Sequence, residues 1–216
     1  MHSEIFMHYA SLLNSYPIEL GACWAVIRSD LNSVTVDELA SRLGRNIGDL
    51  QPQALDDWPE VSEMPIHFIT SRSALMTIEP LGSLFTAPAI LERLSIGAQI
   101  WSVSWNESLK GQLCYARDGH CLAIHDFLHA TWAHGPEAEI FNDHREFLSL
   151  HMPWDEDDEE DDYRYEQALI HWWAAGMTAI ELTSGVRLEK QFLRGPLPTL
   201  LLDEESLRPT AKKEDW

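Results

Sequence analysis

The chain has 216 residues, of which 45% are hydrophobic and 23% are charged, and these values are ordinary for a globular protein. Its 35 acidic and 15 basic residues leave a formal net charge of −20. That charge disfavours nucleic acid and anionic membrane surfaces as direct ligands, because both are negatively charged themselves. No apolar stretch approaches the roughly 20 residues that a membrane span requires, so we expect no direct contact with a membrane.

The N-terminus and the cysteines indicate the compartment. Met1 to Glu4 lacks the basic and then apolar order of a signal peptide, which favours the cytoplasm. The three cysteines, Cys23, Cys114 and Cys121, are too few for a disulfide framework and form no C-x-x-C pair. Each lies in an apolar run, so we expect small buried side chains, with a catalytic thiol as the alternative.

The first 44 residues predict two helices and a strand between them. Apolar side chains at helical spacing favour a helix from Glu4 to Leu13, and the apolar run from Ala22 to Ile27 is typical of a buried strand. Thr35 and Glu38 have the spacing of a capping box. Gly44 stands where a C-terminal cap belongs, so a helix is expected between them.

The next segment contains more turn signals than periodicity. Residues from Arg45 to Met64 include two prolines and a glycine, and they predict a long surface loop around Trp58. Two short strands, from His67 to Thr70 and from Ala74 to Glu79, are expected to follow it. Pro88 has the position of a first helical residue and predicts a short helix.

The middle of the chain predicts an antiparallel meander of three strands. The segments are Gln99 to Trp105, Gln112 to Ala116 and Cys121 to Ile124. Asp118 and Gly119 form a strong hairpin signal between the second and third. Alternation within the first segment places three side chains on one face of the sheet: Trp101, Val103 and Trp105.

The remaining segments are dominated by a run of eight acids from Asp155 to Asp162. Helices are expected from Glu137 to Leu150 and from Tyr163 onward, and the acidic run between them is typical of a solvated loop. A shorter helix from Val186 to Leu193 and a strand from Leu197 to Leu202 complete the pattern. We expect a single domain, in which residues 1–154 form the core, residues 155–162 an acidic loop, residues 163–202 further elements on the same core, and residues 203–216 a tail.

Together these elements predict the α+β class. The expected architecture is a central antiparallel sheet of about five or six strands, with helices packed mainly on one of its faces.

A histidine-rich segment from His120 to His134 is the strongest candidate for a metal site. His125 and His129 would share one face of a helix at positions i and i+4, and His134 follows. Imidazoles at that spacing can bind zinc, although no H-E-x-x-H motif is present. Surface or structural histidines are the alternative interpretation. No nucleophile elbow and no phosphate-binding loop occurs in the sequence, and no carboxylate pair can be selected among 35 acids.

Five segments, in this order, resemble a family of small acidic bacterial proteins, largely actinobacterial, that is labelled as a domain of unknown function. They run from Gly21 to Gly44, Leu75 to Gly82, Pro88 to Asn106, Leu113 to Phe127 and Thr183 to Leu202. The resemblance implies a shared fold and carries no activity with it. In that family the segment after the third meander strand contains Pro and Arg instead of these histidines, which weakens the zinc alternative.

The combination of charge and tryptophan content predicts a non-enzymatic interaction protein, such as an inhibitor, immunity or anti-defence factor. Opposite charge speeds the association of partners, and aromatic side chains supply tight contacts, so we expect a basic protein partner. Acidity that serves solubility alone is an equally simple explanation. No cofactor is expected, whereas a small metal- or ligand-binding enzyme that uses zinc is the alternative. The candidate partner-binding residues are Trp154, Asp155, Glu156, Asp157, Asp158, Glu159, Glu160, Asp161 and Asp162.

Overall fold

A computed structural model describes residues 2–16, 18, 20–29, 34–57, 63–106, 110–126, 133–142 and 162–203. Within these ranges four α-helices are present: α1 (His2–Leu13), α2 (Val36–Arg42), α3 (Pro88–Leu94) and α4 (Asp162–Ser184). The fold is of the predicted α+β class.

The strands of the described residues form one antiparallel sheet of nine strands, which is larger than the predicted five or six. Its order is β2-β9-β3-β4-β1-β5-β6-β7-β8. The bounds are β1 (Gly21–Arg28), β2 (Gln51–Gln53), β3 (Glu63–Thr70), β4 (Leu75–Pro80), β5 (Gln99–Asn106), β6 (Gly111–Arg117), β7 (His120–Asp126), β8 (Ala133–His134) and β9 (Leu197–Asp203). The two edge strands, β2 and β8, are the shortest, and neither has a run long enough to alternate visibly in the sequence.

Helices cover both faces of the sheet, so the prediction of helices mainly on one face is wrong. Side chains alternate along β1: Trp24 and Val26 pack with α1 and α4, whereas Cys23, Ala25 and Ile27 pack with α2 and α3. Every β1 residue except the last is buried. A strand that is buried on both faces has a continuous apolar sequence. Such a run indicates that the strand is buried, but it does not indicate on which face of the sheet the helices pack.

Two local predictions are confirmed in detail. The Glu38 amide donates to Thr35 Oγ1 at 3.2 Å, so Thr35 caps α2, although the Glu38 carboxylate accepts from Arg42 and the reciprocal half of the predicted capping box is not seen. Asp118 and Gly119 have φ values of 51° and 83°, which is the left-handed pair that a tight hairpin between β6 and β7 requires. The meander is therefore present as predicted.

Three predicted segments differ. The predicted loop from Arg45 to Met64 contains a 3₁₀ turn at Ile47–Asp49, the strand β2 and the start of β3. The helix predicted from Glu137 to Leu150 begins as a 3₁₀ turn at Ala138–Phe141, and residues 143–150 lie outside the described ranges.

The third difference follows α4. The expected helix from Val186 to Leu193 is an extended segment that ends in a 3₁₀ turn at Lys190–Leu193. Val186 and Leu188 are buried while Arg187 between them is exposed. This is a period of two, and it fits an extended chain better than a helix.

Candidate functional site

The predicted partner-binding residues Trp154 to Asp161 lie outside the described residues. Asp162 is the first residue of α4, so the acidic run leads along the chain into the start of a helix of 23 residues. Negative charge near a helix N-terminus is favourable by about 0.3–1 kcal/mol for a well-placed group.

The structure does not bring the described zinc candidates together. His125 lies on β7, is 4% exposed, and hydrogen-bonds through Nε2 to the Ala138 carbonyl at 2.6 Å. Its ring also meets Phe141 edge-on. His134 on β8 is exposed, and it pairs with Ile124 on the opposite face of the sheet from His125. His129 lies outside the described residues, and zinc binding by this segment stays a prediction.

A buried carboxyl group, Glu79, is the most unusual polar feature on the α2/α3 side of the sheet. It lies near the end of β4 and is 1% exposed. Its two oxygens accept hydrogen bonds from the amides of Leu84 (2.9 Å) and Phe85 (3.1 Å), so the carboxyl group holds the 3₁₀ turn Leu84–Thr86 against the sheet. A side chain at Gly82 would come within 2.7 Å of Glu79, which explains the glycine in this turn.

Burial raises the pKa of Glu79 to about 7, although the two amides and the neighbouring Cys23 thiol favour its ionised form. Cys23 is the direct cross-strand neighbour of Glu79 on β1. Its own pKa is raised well above the ordinary value, by burial first and by Glu79 second. This thiol is therefore protonated at neutral pH, and a thiol rather than a thiolate is a poor nucleophile and metal ligand.

The other two cysteines also have raised pKa values. Cys114 is buried, and its Sγ lies 3.7 Å from the Thr86 carbonyl. Burial raises the pKa of both Cys114 and Cys121. The predicted burial is thus confirmed for Cys23 and Cys114, while Cys121 is only half-buried. Among the described residues, no basic side chain lowers the pKa of any of the three thiols, so the surroundings that activate a cysteine are not found there.

A second buried titratable group, His67, lies on the α1/α4 side. Its Nδ1 is 2.8 Å from Thr199 Oγ1 across the β3–β9 pair, and Thr199 in turn donates to the Leu197 carbonyl. His67 is fully buried, and that burial lowers its pKa to about 4. A neutral imidazole here positions β9, and the sequence did not single it out because His67 lies within an apolar strand.

Two exposed leucines stand at the end of the sheet where β1 begins and β4 ends. Leu20 is 55% exposed and Leu81 is 59% exposed. The Leu81 amide donates to the Gly21 carbonyl at 2.9 Å, which fixes the two segments side by side. Leu81 has a φ of 55°, a conformation that costs a leucine roughly 1–2 kcal/mol. We call these two residues the Leu20–Leu81 patch.

The described tryptophans belong to the core. Trp24, Trp101, Trp105, Trp172 and Trp173 are between 1% and 7% exposed, and Trp105 stacks on Trp173 with ring centroids 6.0 Å apart. The other four of the nine lie outside the described residues. Much of the tryptophan content is thus explained by packing.

Ion pairs neutralise several of the basic side chains in the described part of the chain. The pairs are Arg42 with Glu38, Arg45 with Asp203, Arg117 with Glu137 and Arg187 with Glu181. Each pair cancels one acid and one base, so the surplus of carboxylates remains. Exposed acids on the folded body include Glu4, Asp37, Asp56, Glu63, Glu92 and Glu139.

An open cleft lies at the end of the sheet where β1 ends and the β3–β4 turn begins. Its volume is about 350 Å³, and among the described residues that line it Arg28 and Arg72 carry charge. The sequence predicts only that Arg72 lies in a turn between two strands. That Arg28 and Arg72 line the same cleft depends on the pairing of β1 with β4, which the sequence does not show.

In the described ranges no three His, Cys, Asp or Glu side chains are grouped closely enough to hold a metal ion. Among the helices described above, none has an apolar stretch that could cross a membrane.

Comparison with known proteins gives no match to a family model, a curated protein or a solved structure. The resemblance to the acidic bacterial family stays a prediction.

Proposed function

We propose that this chain is a non-enzymatic interaction protein of the inhibitor, immunity or anti-defence type, acting in the cytoplasm. The single observation that carries the proposal is the net charge of −20. Eight of these charges stand in one uninterrupted run beside Trp154, which ends at the first residue of α4. A basic protein is the partner that such a surface attracts.

Charge would act mainly on the rate of encounter. A strong field of one sign steers an oppositely charged partner and raises the association rate, and added salt weakens this effect. Tight binding also requires apolar contacts at the centre of the interface. Trp154 beside the acidic run is the first candidate for such a contact, and the Leu20–Leu81 patch supplies a second exposed apolar surface.

The first experiment identifies the partner and then measures it in purified form. Immobilised full-length chain is incubated with cell extract at about 50 mM and about 500 mM salt, where the screening length falls severalfold. We expect a basic protein to be retained at low salt and released at high salt. Retention of no basic protein at low salt would contradict electrostatic capture.

Two variants with equal charge then locate the surface. One replaces all eight acids from Asp155 to Asp162 with Asn or Gln, which brings the net charge from −20 to −12. The matched control neutralises eight exposed acids of the body in the same way: Glu4, Asp37, Asp49, Asp56, Glu63, Glu92, Asp118 and Glu139. We expect the first variant to weaken binding of the purified partner at least tenfold and the control to weaken it much less.

A further inference from the structure

A short segment on the α2/α3 side joins β4 to α3 and lies across the sheet. It comprises residues 81–87, with the 3₁₀ turn Leu84–Thr86 inside it, and we call it the strap. Phe85 in its middle is buried, whereas Leu81 and Ser83 near its start are exposed. The strap is therefore anchored at its middle and open to solvent at its entry.

Side chains from three strands hold the backbone of the strap: Glu79 on β4, Ser102 on β5 and Cys114 on β6. Glu79 accepts from both the Leu84 and the Phe85 amide, while the other two side chains donate to carbonyl groups of the strap. Among the described residues, no backbone–backbone hydrogen bond joins residues 83–86 to a strand. The attachment of the strap thus depends strongly on one carboxyl group.

The entry to the strap is strained and gives the carboxyl group little cover. Leu81 has a left-handed φ of 55°. Gly82 follows it and is half-exposed, and a side chain at Gly82 would come within 2.7 Å of Glu79. The backbone of Gly82 therefore passes directly over the Glu79 side chain, and a movement of this one turn would let water reach the carboxyl group.

The groups around Glu79 do not neutralise its charge. The Cys23 thiol faces it from β1, and the Cys114 thiol of β6 lies near Cys23 in turn. The strap contains no charged side chain. Among the described residues, the charged side chains of α2 and α3 make no hydrogen bond or ion pair with Glu79: Asp37, Glu38, Arg42, Glu92 and Arg93. An ionised carboxyl group without a cation is more stable in water than in a protein interior, so ionisation favours a state in which Glu79 is hydrated.

We propose that the strap is a pH-sensitive gate: ionisation of the Glu79 carboxyl group releases residues 81–87 from the sheet, and water then reaches the Cys23 and Cys114 thiols beneath. The opening is local, and the strands stay paired. It exposes Phe85 in the same segment as Leu81, so it enlarges the Leu20–Leu81 patch as the pH rises. The inference does not rest on the acidic run or on the proposed partner.

Hydrogen exchange of backbone amides in the full-length chain, followed by NMR, measures this opening. The reporters are the Leu84 and Phe85 amides, which donate to Glu79 in the closed form. Exposure would return the pKa of Glu79 from about 7 to its ordinary value of 4.5. The protection factors of both amides should therefore fall about twentyfold between pH 5.5 and pH 7.5. Protection that does not fall over this range would overturn the proposal.

An amide at the centre of the sheet distinguishes local opening from global unfolding. Trp24 on β1 is paired with β4 on one side and with β5 on the other. We expect the Leu84 and Phe85 amides to be at least tenfold less protected than that of Trp24. About 1 M urea should reduce their protection less than twofold and that of Trp24 at least fivefold, because local opening exposes little surface. Equal protection and an equal response to urea would show that only global unfolding occurs and would overturn the proposal.

Three variants identify the group that controls the strap. Glu79→Gln keeps an acceptor oxygen but does not titrate, so the protection of the Leu84 and Phe85 amides should no longer depend on pH. Ser102→Ala removes an uncharged attachment and should lower protection at both pH values, with the pH response retained. The matched control, Glu92→Gln, changes an exposed acid on α3 and keeps Glu79, so the fall in protection should persist. A pH response that persists in Glu79→Gln, or one that is lost in Ser102→Ala or Glu92→Gln, would overturn the assignment to Glu79.

Discussion

Glu79 and Cys23 face each other directly across β4 and β1, and both are buried with their protons on at mildly acidic pH. No basic side chain hydrogen-bonds to this carboxyl group in the described part of the chain. Its hydrogen-bond partners are the Leu84 and Phe85 amides and the Cys23 thiol, which favour the ionised form but do not outweigh the effect of burial. Ionisation of Glu79 is consequently a cost that the folded protein carries at neutral pH.

The first prediction concerns Glu79→Gln. The pKa of Glu79 is raised from 4.5 to about 7 in the folded state, so its contribution to stability is fully present below pH 4.5 and is lost as the pH rises through 7. The loss amounts to about 3 kcal/mol. Glu79→Gln removes this decline, so its free energy of unfolding should improve relative to the wild type between pH 4.5 and pH 8, measured by urea denaturation.

The control for this prediction is Glu63→Gln, which changes an exposed acid on β3. The effect of Glu79→Gln on the pH dependence of unfolding is compared directly with the effect of this exposed substitution. An unchanged slope in Glu79→Gln would show that the carboxyl group ionises in the folded protein as easily as in the unfolded chain.

The second prediction concerns His67→Gln, whose effect has the opposite sign. The pKa of His67 is lowered from 6.5 to about 4, so its contribution to stability is present above pH 6.5 and is lost as the pH falls through 4. Gln keeps a donor for Thr199 but does not titrate in this range. Between pH 6.5 and pH 4.5, protonation of Glu79 favours the folded state, whereas protonation of His67 favours the unfolded state. The His67→Gln variant keeps only the first effect. Acidification over this range should therefore raise its free energy of unfolding more than that of the wild type.

The exposed His134 on β8 provides the comparison for His67. His134→Gln is the matched control, because it removes an imidazole that is exposed on a short edge strand instead of buried in the sheet. If His67→Gln and His134→Gln behave alike, the imidazole of His67 is not held neutral by burial.

The third prediction concerns the contact between α1 and α4. Tyr9 Oη donates to Glu181 Oε2 at 2.8 Å and accepts from the Leu188 amide at 3.3 Å. Tyr9→Phe leaves that buried amide unpaired, so we expect a loss of about 1.5–3 kcal/mol in the free energy of unfolding. Tyr16→Phe loses one neutral hydrogen bond to the Lys190 carbonyl and should cost only about 0.5–1.5 kcal/mol. Equal losses would show that the Leu188 amide finds another partner.

The fold could be predicted where local chemistry decides the structure. The α2 cap at Thr35 and the hairpin at Asp118 and Gly119 depend on residues a few positions apart, and both were predicted. Strand β2 could not be found in this way, because its pairing partner β9 lies at the far end of the described chain and Pro52 suppresses its strand signal.

The candidate sites were harder to predict from the sequence, because they too depend on contacts between residues that are far apart in the chain. Glu79 is one of 35 acids, and its raised pKa depends on a turn that buries it. Its position inside an apolar strand, between Ile78 and Pro80, was the available signal. Arg28 and Arg72 lie far apart in sequence, and only the pairing of β1 with β4 brings them to one cleft.

The fourth prediction concerns Leu81, whose left-handed backbone conformation is unfavourable for a leucine. Leu81→Gly removes that strain and loses little burial, because the side chain is 59% exposed. Glycine also costs entropy in the unfolded chain, so we expect a net gain of about 0.5–1 kcal/mol in the free energy of unfolding. Strained residues are enriched at functional sites, which is the reason to test this patch for binding. If the Leu20–Leu81 patch contacts the partner, the same variant should bind the purified partner more weakly.

Ile96 supplies the matched control for Leu81, since it has the same exposure of 59% and no left-handed backbone. Ile96→Gly should lower the free energy of unfolding, because it adds flexibility without relieving strain. It should leave the affinity for the partner unchanged. A more stable Leu81→Gly that binds as well as the wild type would remove the Leu20–Leu81 patch from the interface, and the acidic run with Trp154 would remain as the proposed contact surface.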